Sequence, residues 1–368
     1  MTKVSATKGN KLARDRLMKI AEFIYNQLEE GSIPHLEVSS RTKSNIVLSK
    51  HHKVWKYGDD VVRRSAKDLG GATSILRTLY TVDFIGEMIG SGKSSTLREM
   101  YYISEGWDKA KFPTQDESNR LAEDLEIITT SLREDFKLRP EEDGARVIGD
   151  ITIEEKNRKG EIKKINCKDD VGDSGYGIPY NVEEEKLKFK KVNAKMILAV
   201  ETGGMFDRLV ENGFDESHKA VLVHLKGQPA RSTRRFIKRL HENSKLPVVL
   251  FTDGDPWSYR IFASVAYGAI KTAHISEYLA TPSAQYLGIT PSDIVNYDLP
   301  SDGLSDNDIN ALKSELTDPR FSSNKWKEEI KLQLKLKKKS EQQALAKYGL
   351  DFVTDTYLPE KLAEMNMI

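Results

Sequence analysis

Apolar positions near the start of the chain recur at helical spacing. Over residues 11–30 they are Leu17, Ile20, Phe23, Ile24 and Leu28, and Gly31 stops the run. Residues 32–65 carry only short strand-like pieces, such as Ser44 to Leu48, so 1–65 reads as an N-terminal arm. A second helix is predicted over 72–90, with Ile75, Leu79, Val82 and Ile85 on one side and a break at Gly90-Ser91-Gly92. A third opens at Thr96-Leu97-Arg98-Glu99. There the Thr96 hydroxyl can accept from the Glu99 amide while the Glu99 carboxylate reaches back, a capping box. A fourth covers about 116–136, with Leu121, Leu125, Ile128, Leu132 and Phe136 in register. A hairpin follows: Val147 to Glu155, a turn at Asn157–Gly160, then Glu161 to Ile165. Helices followed by a two-stranded hairpin is the order of a CAP-like winged helix, predicted here over 66–168.

Residues 169–192 are Gly-rich and then charged, and read as a linker. From 193 to 368 the pattern changes. Met196–Val200, Val221–Leu225 and Pro247–Phe251 are continuous apolar runs, each followed by a helical segment. Strands without alternation, separated by helices, imply a parallel sheet covered on both faces. The tail, 305–368, reads as a charged helical extension with Lys335 and Lys337–Lys339 clustered. The expected fold class is therefore α/β plus α+β: a winged-helix domain followed by a Rossmann-like parallel sheet.

The 368 residues suffice for two or three domains, and 38% hydrophobic with 31% charged residues is an ordinary soluble composition. The formal net charge of +1 does not announce nucleic acid, so any such role must rest on local clusters of Lys and Arg. A single cysteine, Cys167, excludes an intrachain disulfide and a Cys-rich zinc site, and fits a reducing cytoplasm. No apolar run is long enough to span a bilayer, and the polar, basic start is unlike a secretory signal, so no membrane association is expected.

In open parallel sheets chemistry gathers at the carboxyl ends of the strands. Glu201, Asp253 and Asp255 all fall there. Clustered carboxylates repel one another, and a cation relieves that repulsion. Mg²⁺ prefers oxygen ligands and is commonly held by one or two carboxylates together with a substrate phosphate. Asp255-Pro256 also reads as a plain helix cap followed by proline at the first helical position.

The wording AVETGGMF, spaced before VVLFTDGDPWS, resembles the TOPRIM domain of topoisomerases and primases. With LVHLKGQPARSTRRFIKRL between, it resembles the family of topoisomerase VI A subunits and their relatives that make meiotic double-strand breaks. The resemblance runs from about residue 66 to 300. It implies that Glu201, Asp253 and Asp255 coordinate magnesium. The family also carries an Arg-acid-apolar-aromatic-Tyr motif, here Arg98-Glu99-Met100-Tyr101-Tyr102, which implies Tyr102 as the nucleophile. Helix neighbours project about 100° apart, so one tyrosine can pack inward while the other faces DNA. Exchanged roles for Tyr101 and Tyr102 stay open. Arg98, on the same face as Tyr102, could favour the phenolate and stabilise charge on the attacked phosphate. The resemblance further implies duplex DNA as substrate, a 5′-phosphotyrosyl link and a homodimer whose protomers exchange tyrosines. It also implies a separate ATPase, the B subunit of topoisomerase VI, in an A2B2 heterotetramer at the nucleoid.

Arg231, Arg234, Arg235, Lys238 and Arg239 crowd one predicted helix. The first four are candidate phosphate contacts, with a solvated helix face as the alternative. Gly90-Ser-Gly-Lys-Ser94 lacks the leading glycine of a P-loop and follows a helix. Asp173-Ser-Gly-Tyr-Gly177 lacks the Glu/Asn helix of another ATPase class. Both read as turns, and ATP binding by this chain is not expected. Two further enzyme readings compete with the type IIB topoisomerase: a break-making transesterase without resealing, and a hydrolytic TOPRIM nuclease.

Overall fold

The computed structural model describes residues 7–139, 144–157 and 159–367, so Arg158 of the predicted turn lies outside the described residues. The chain divides into two compact units. One comprises residues 1–47, 56–142 and 270–275, the other 48–55, 143–269 and 276–368.

The first unit is built on helices. α1 (Lys8–Glu29) starts at a capping box between Thr7 and Asn10. It buries Ala13, Leu17, Ile20 and Ile24, a stripe at spacings of three and four. Phe23 and Leu28, also expected inside, lie at the margins of that stripe and are 48% and 57% exposed. α2 (Leu69–Ser91), capped by Asp68, contributes Ile75, Val82, Ile85 and Ile89 to the same core and ends on left-handed Gly92. α3 (Leu97–Ile103) and α4 (Gln115–Thr129) complete the set. α4 is shorter than predicted because Thr130 turns left-handed, yet Phe136 is still fully buried. Residues 7–47 and 56–65, expected as part of an N-terminal arm, belong to this unit. α1 packs on α2, and the strand His35–Ser39 pairs antiparallel with Val61–Ser65 inside this unit.

The second unit starts earlier than the sequence suggested. β1 (Arg146–Ile148) joins its main sheet. β2 (Ile151–Lys156) and β3 (Ile162–Asn166) form the expected hairpin, with Ile153 opposite Ile165. The hairpin belongs to this unit rather than to the helices before it. The presumed linker supplies β4 (Tyr176–Gly177), paired with β1, and β5 (Leu187–Val192), paired with β2. Leu187 and Phe189 of β5 are buried between exposed lysines, so the strand's alternation was hidden in a run that reads as charged.

The main sheet adds β6 (Met196–Val200), β7 (Ala220–His224), β8 (Val248–Phe251) and β9 (Gln285–Gly288), in the order β4-β1-β7-β6-β8-β9. The last four in that order run parallel, while β1 runs antiparallel to β7. Every residue of β6, β7 and β8 is buried, as their unbroken apolar runs require. α5 (Gly203–Glu211) covers one face with Met205, Phe206 and Leu209. Tyr357, Leu358 and Leu362 of the charged tail pack there too. α6 (Arg231–Ser244) and α7 (Pro256–Tyr267) cover the other face through Phe236, Ile237, Leu240, Phe262 and Val265. No helix among the described residues is long and apolar enough to cross a membrane.

Phe236 is fully buried and its ring centroid lies 5.2 Å from that of Phe189, so it joins α6 to the small β5-β2-β3 sheet. Phe236→Ala is expected to cost about 3–5 kcal/mol in urea unfolding. A loss well under about 1 kcal/mol would show that this contact does not bind the helix to that sheet.

Candidate functional site

The candidate nucleophile sits on the helical unit. α3 is fixed at its start by the predicted capping box: the Thr96 amide donates to Glu99 Oε2 at 2.6 Å, and the Glu99 amide donates to Thr96 Oγ1 at 3.0 Å. The bond from the Thr96 amide holds the Glu99 carboxyl below its usual range. Met100 is fully buried and pins the helix to the core. At the far end the Ser104 hydroxyl donates to Tyr101 O at 2.6 Å and accepts from the Phe112 amide at 3.2 Å. Between these anchors the two tyrosines separate, as neighbours on a helix must. Tyr101 is half-buried, whereas Tyr102 is 58% exposed. The exposed Arg98 guanidinium stands 6.0 Å from the Tyr102 ring centroid.

The candidate metal ligands belong to the other unit, at the carboxyl ends of β6 and β8. Val200 is level with Phe251 across these strands, so Glu201 and the segment after Phe251 emerge side by side. The Asp253 amide donates to Glu201 Oε2 at 3.1 Å. Asp253 Oδ1 accepts from the Gln342 amide at 2.8 Å, and Asp255 Oδ1 accepts from the Ser258 amide at 2.7 Å, capping α7. Asp255 is therefore a helix cap as well as a member of the acidic group. Gly254 sits where two backbones approach closely. Its amide donates to Ser340 O at 2.7 Å, and a Cβ would lie 3.1 Å from Ile289 O and 3.2 Å from Ser340 O.

Burial, then the neighbouring charge of Glu201, pushes the Asp253 carboxyl up to about 7. Burial also raises Glu201, and the Asp255 charge adds to it. The acids are thus close enough to oppose one another's ionisation. Among the described residues no three His, Cys, Asp or Glu side chains already stand as a metal-ligand group. Each acid instead commits one oxygen to a backbone amide. As a donor set, half-buried or buried carboxylates with mutually disfavoured charge fit a hard divalent cation such as Mg²⁺.

Two glutamines from the tail brace this loop, and sequence reasoning missed both. Gln342 is fully buried; its Nε2 donates to Phe251 O at 2.9 Å, and its Oε1 lies 3.1 Å from Thr202 Oγ1. Gln333, also fully buried, donates to Gly254 O at 2.7 Å and accepts from the Tyr259 hydroxyl at 2.8 Å. A glutamine in a charged helical tail carries no sequence signal of such a role.

The basic helix α6 departs from expectation. Arg235 pairs with both oxygens of Glu183, at 2.8 and 3.0 Å, and its guanidinium lies 3.7 Å from the Tyr278 ring centroid. Lys238 donates to Glu277 O, and Arg239 to Leu187 O at 3.0 Å. Arg234 is 6% exposed and Arg231 half-buried. Of the four candidate phosphate contacts, Arg235 and Lys238 are thus engaged within the protein, Arg234 is buried and Arg231 half-buried. Arg235 and Arg239 hold the segment from Glu183 to Leu187 against the helix.

With its parallel sheet and acids at adjacent strand ends, the chain matches known families along most of its length. Residues 196–362 match the Toprim domain of the family that joins topoisomerase 6 A subunits with Spo11. Residues 141–193 match the all-beta domain in DNA topoisomerase VI alpha subunit, and 73–138 match type IIB DNA topoisomerase. The chain is 59% identical to the A subunit of type 2 DNA topoisomerase 6 from Archaeoglobus fulgidus, over 96% of this chain and 97% of that one. It is 59% identical to that of Methanosarcina mazei, over 98% and 97%, and 57% identical to that of Natronomonas pharaonis, over 98% and 97%. The chain belongs to the family of topoisomerase VI A subunits, the DNA-cleaving subunits of type IIB topoisomerases.

The raised Asp253 carboxyl has a consequence for stability. The unfolded chain gives up this proton near the ordinary aspartate range, about 3.9, and the folded chain only at about 7. Between those values the native state binds the extra proton, so stability falls as pH rises through that window. Without divalent cation, the melting temperature should drop between about pH 4 and pH 7, and Asp253→Asn should flatten the drop. Parallel curves for the two proteins would show that Asp253 does not carry the strain.

Proposed function

We propose that the chain cleaves duplex DNA by transesterification, with Tyr102 as nucleophile and Glu201, Asp253 and Asp255 as the seat of Mg²⁺. The observation that carries the reading is the meeting of Glu201 and Asp253 at adjacent strand ends, where their charges oppose each other unless a cation joins them. The exposure of Tyr102 beside Arg98, on a helix capped at one end and anchored through Met100, supports its role.

The Tyr102 hydroxyl loses its proton and its oxygen attacks a backbone phosphorus. The P–O3′ bond breaks, the 3′ oxygen leaves and takes up a proton, and a 5′-phosphotyrosyl ester forms. The number of ester bonds is unchanged, so the 3′ hydroxyl can reverse the step and reseal the strand. An ordinary phenol, with a pKa of about 10, is a weak nucleophile at neutral pH. The Arg98 guanidinium, 6.0 Å from the Tyr102 ring centroid, offsets charge on the attacked phosphate. Glu201, Asp253 and Asp255 would hold the cation, which supplies positive charge beside the phosphate when bound. The short α3, set among α2 and α4, acts as the DNA-facing helix of a winged-helix-like unit.

Cutting both strands takes two tyrosines, so the working form is a homodimer. Strand passage is coupled to ATP by a separate B subunit, giving an A2B2 assembly on chromosomal DNA in the cytoplasm. Opening a gate and resealing it accounts for the relaxation of supercoils.

Tyr102→Phe should abolish the denaturant-resistant protein–DNA adduct, while Tyr101→Phe retains it. An adduct formed by the Tyr102→Phe protein would contradict the assignment. Asp253→Ala combined with Asp255→Ala should lower cleavage by about 10²-fold or more. Free 5′ phosphates without adduct would mark a hydrolytic nuclease instead.

A further inference from the structure

The small β5-β2-β3 sheet has two unlike faces. Toward the core it presents Ile151, Ile153, Leu187 and Phe189, all buried. The registers assign the opposite face. Lys188 is level with Glu154, which is level with Lys164. Lys191 is level with Thr152, and Lys156 lies two residues beyond Glu154 on the same side. Lys190, at the irregularity in β5, turns to the same side and reaches Glu154 at 3.4 Å. Five lysines thus share one face with a single acid among them, and that acid is only 16% exposed. Asp150 lies at one rim, where it accepts from Asn166 at 2.9 Å and Asn193 at 2.7 Å. Lys156, Lys164, Lys188, Lys190 and Lys191 are all exposed.

Glu154, opposite both Lys188 and Lys164, offsets part of this charge, but five lysines around one acid leave a net positive face that folding alone does not require. Neighbouring strands lie about 4.8 Å apart and alternate residues about 7 Å apart. The lysines therefore form a lattice of positive charge on a rigid scaffold. Duplex DNA offers a matching lattice, one phosphate per about 1.7 Å of helix axis. Lysine meets phosphate as a point charge, without base readout.

We propose that this sheet face is a sequence-independent binding surface for the phosphate backbone of duplex DNA, additional to the cleavage site. The proposal rests on the chain's belonging to a DNA-cleaving family. It gives the all-beta region a task of its own: holding a stretch of duplex by charge alone.

The test uses the full chain with Lys156→Ala, Lys164→Ala and Lys188→Ala combined, and a duplex long enough to extend well beyond a cleavage site. Affinity is measured by fluorescence anisotropy across a salt series. Each lost phosphate contact should lower the slope of log K against log salt by about 0.9, so the triple variant should lose about 2–3 from that slope. Arginine at the same three positions should restore it. An unchanged slope overturns the proposal, as it would if the face instead met an acidic protein surface. Adduct formation at saturating DNA separates this outcome from the proposed cleavage chemistry. The triple variant should still form the Tyr102-dependent adduct; an unaltered chain that forms none counts against the cleavage reading, not against this surface.

Discussion

The mutual repulsion of three carboxylates at the ends of β6 and β8 is the constraint on which the site depends. Parallel pairing brings Glu201 level with the segment after Phe251, and burial then removes the water that would screen the charges. The fold tolerates this because each acid accepts from a backbone amide, from Asp253, Gln342 and Ser258. Such bonds orient the carboxylates without neutralising them. What remains is a group of oxygens whose crowded charge a divalent cation would offset.

The supporting elements come from distant parts of the chain. Gln342 and Gln333 tie the acidic loop to the C-terminal segment, and Gly254 admits the backbones of Ile289 and Ser340 at distances a side chain would crowd. The tail is thus part of the site's framework rather than an appendage. On the other unit α3 is short and would not hold its shape alone. Its capping box, buried Met100 and the Ser104 bonds fix it from both ends and leave Tyr102 outward.

Much of this was legible in the sequence because the signals were local. Unbroken apolar runs marked β6 and β8, the Thr96–Glu99 spacing marked the start of α3, and the family wording pointed to Glu201, Asp253, Asp255 and Tyr102. What was not legible depended on long-range pairing. β5 looked like a charged linker because Lys188 and Lys190 interrupt Leu187 and Phe189. The hairpin of β2 and β3 was assigned to the wrong unit because nothing local says which sheet a strand will join. On α6 the partners of Arg235 and Arg239, Glu183 and the Leu187 carbonyl, lie far away in sequence and could not be read locally. A charged side chain announces that it needs a partner, not which partner.

The central claim, that the acids form one electrostatic unit completed by a cation, is tested most directly by calorimetric titration of Mg²⁺ in buffers of different ionisation enthalpy near pH 6.5. With Asp253 raised to about 7, cation binding should expel a proton. The observed heat should therefore vary with the buffer, and Asp253→Asn should remove that variation. Binding whose heat is independent of buffer, or no Mg²⁺ binding by the unaltered protein, would contradict the account.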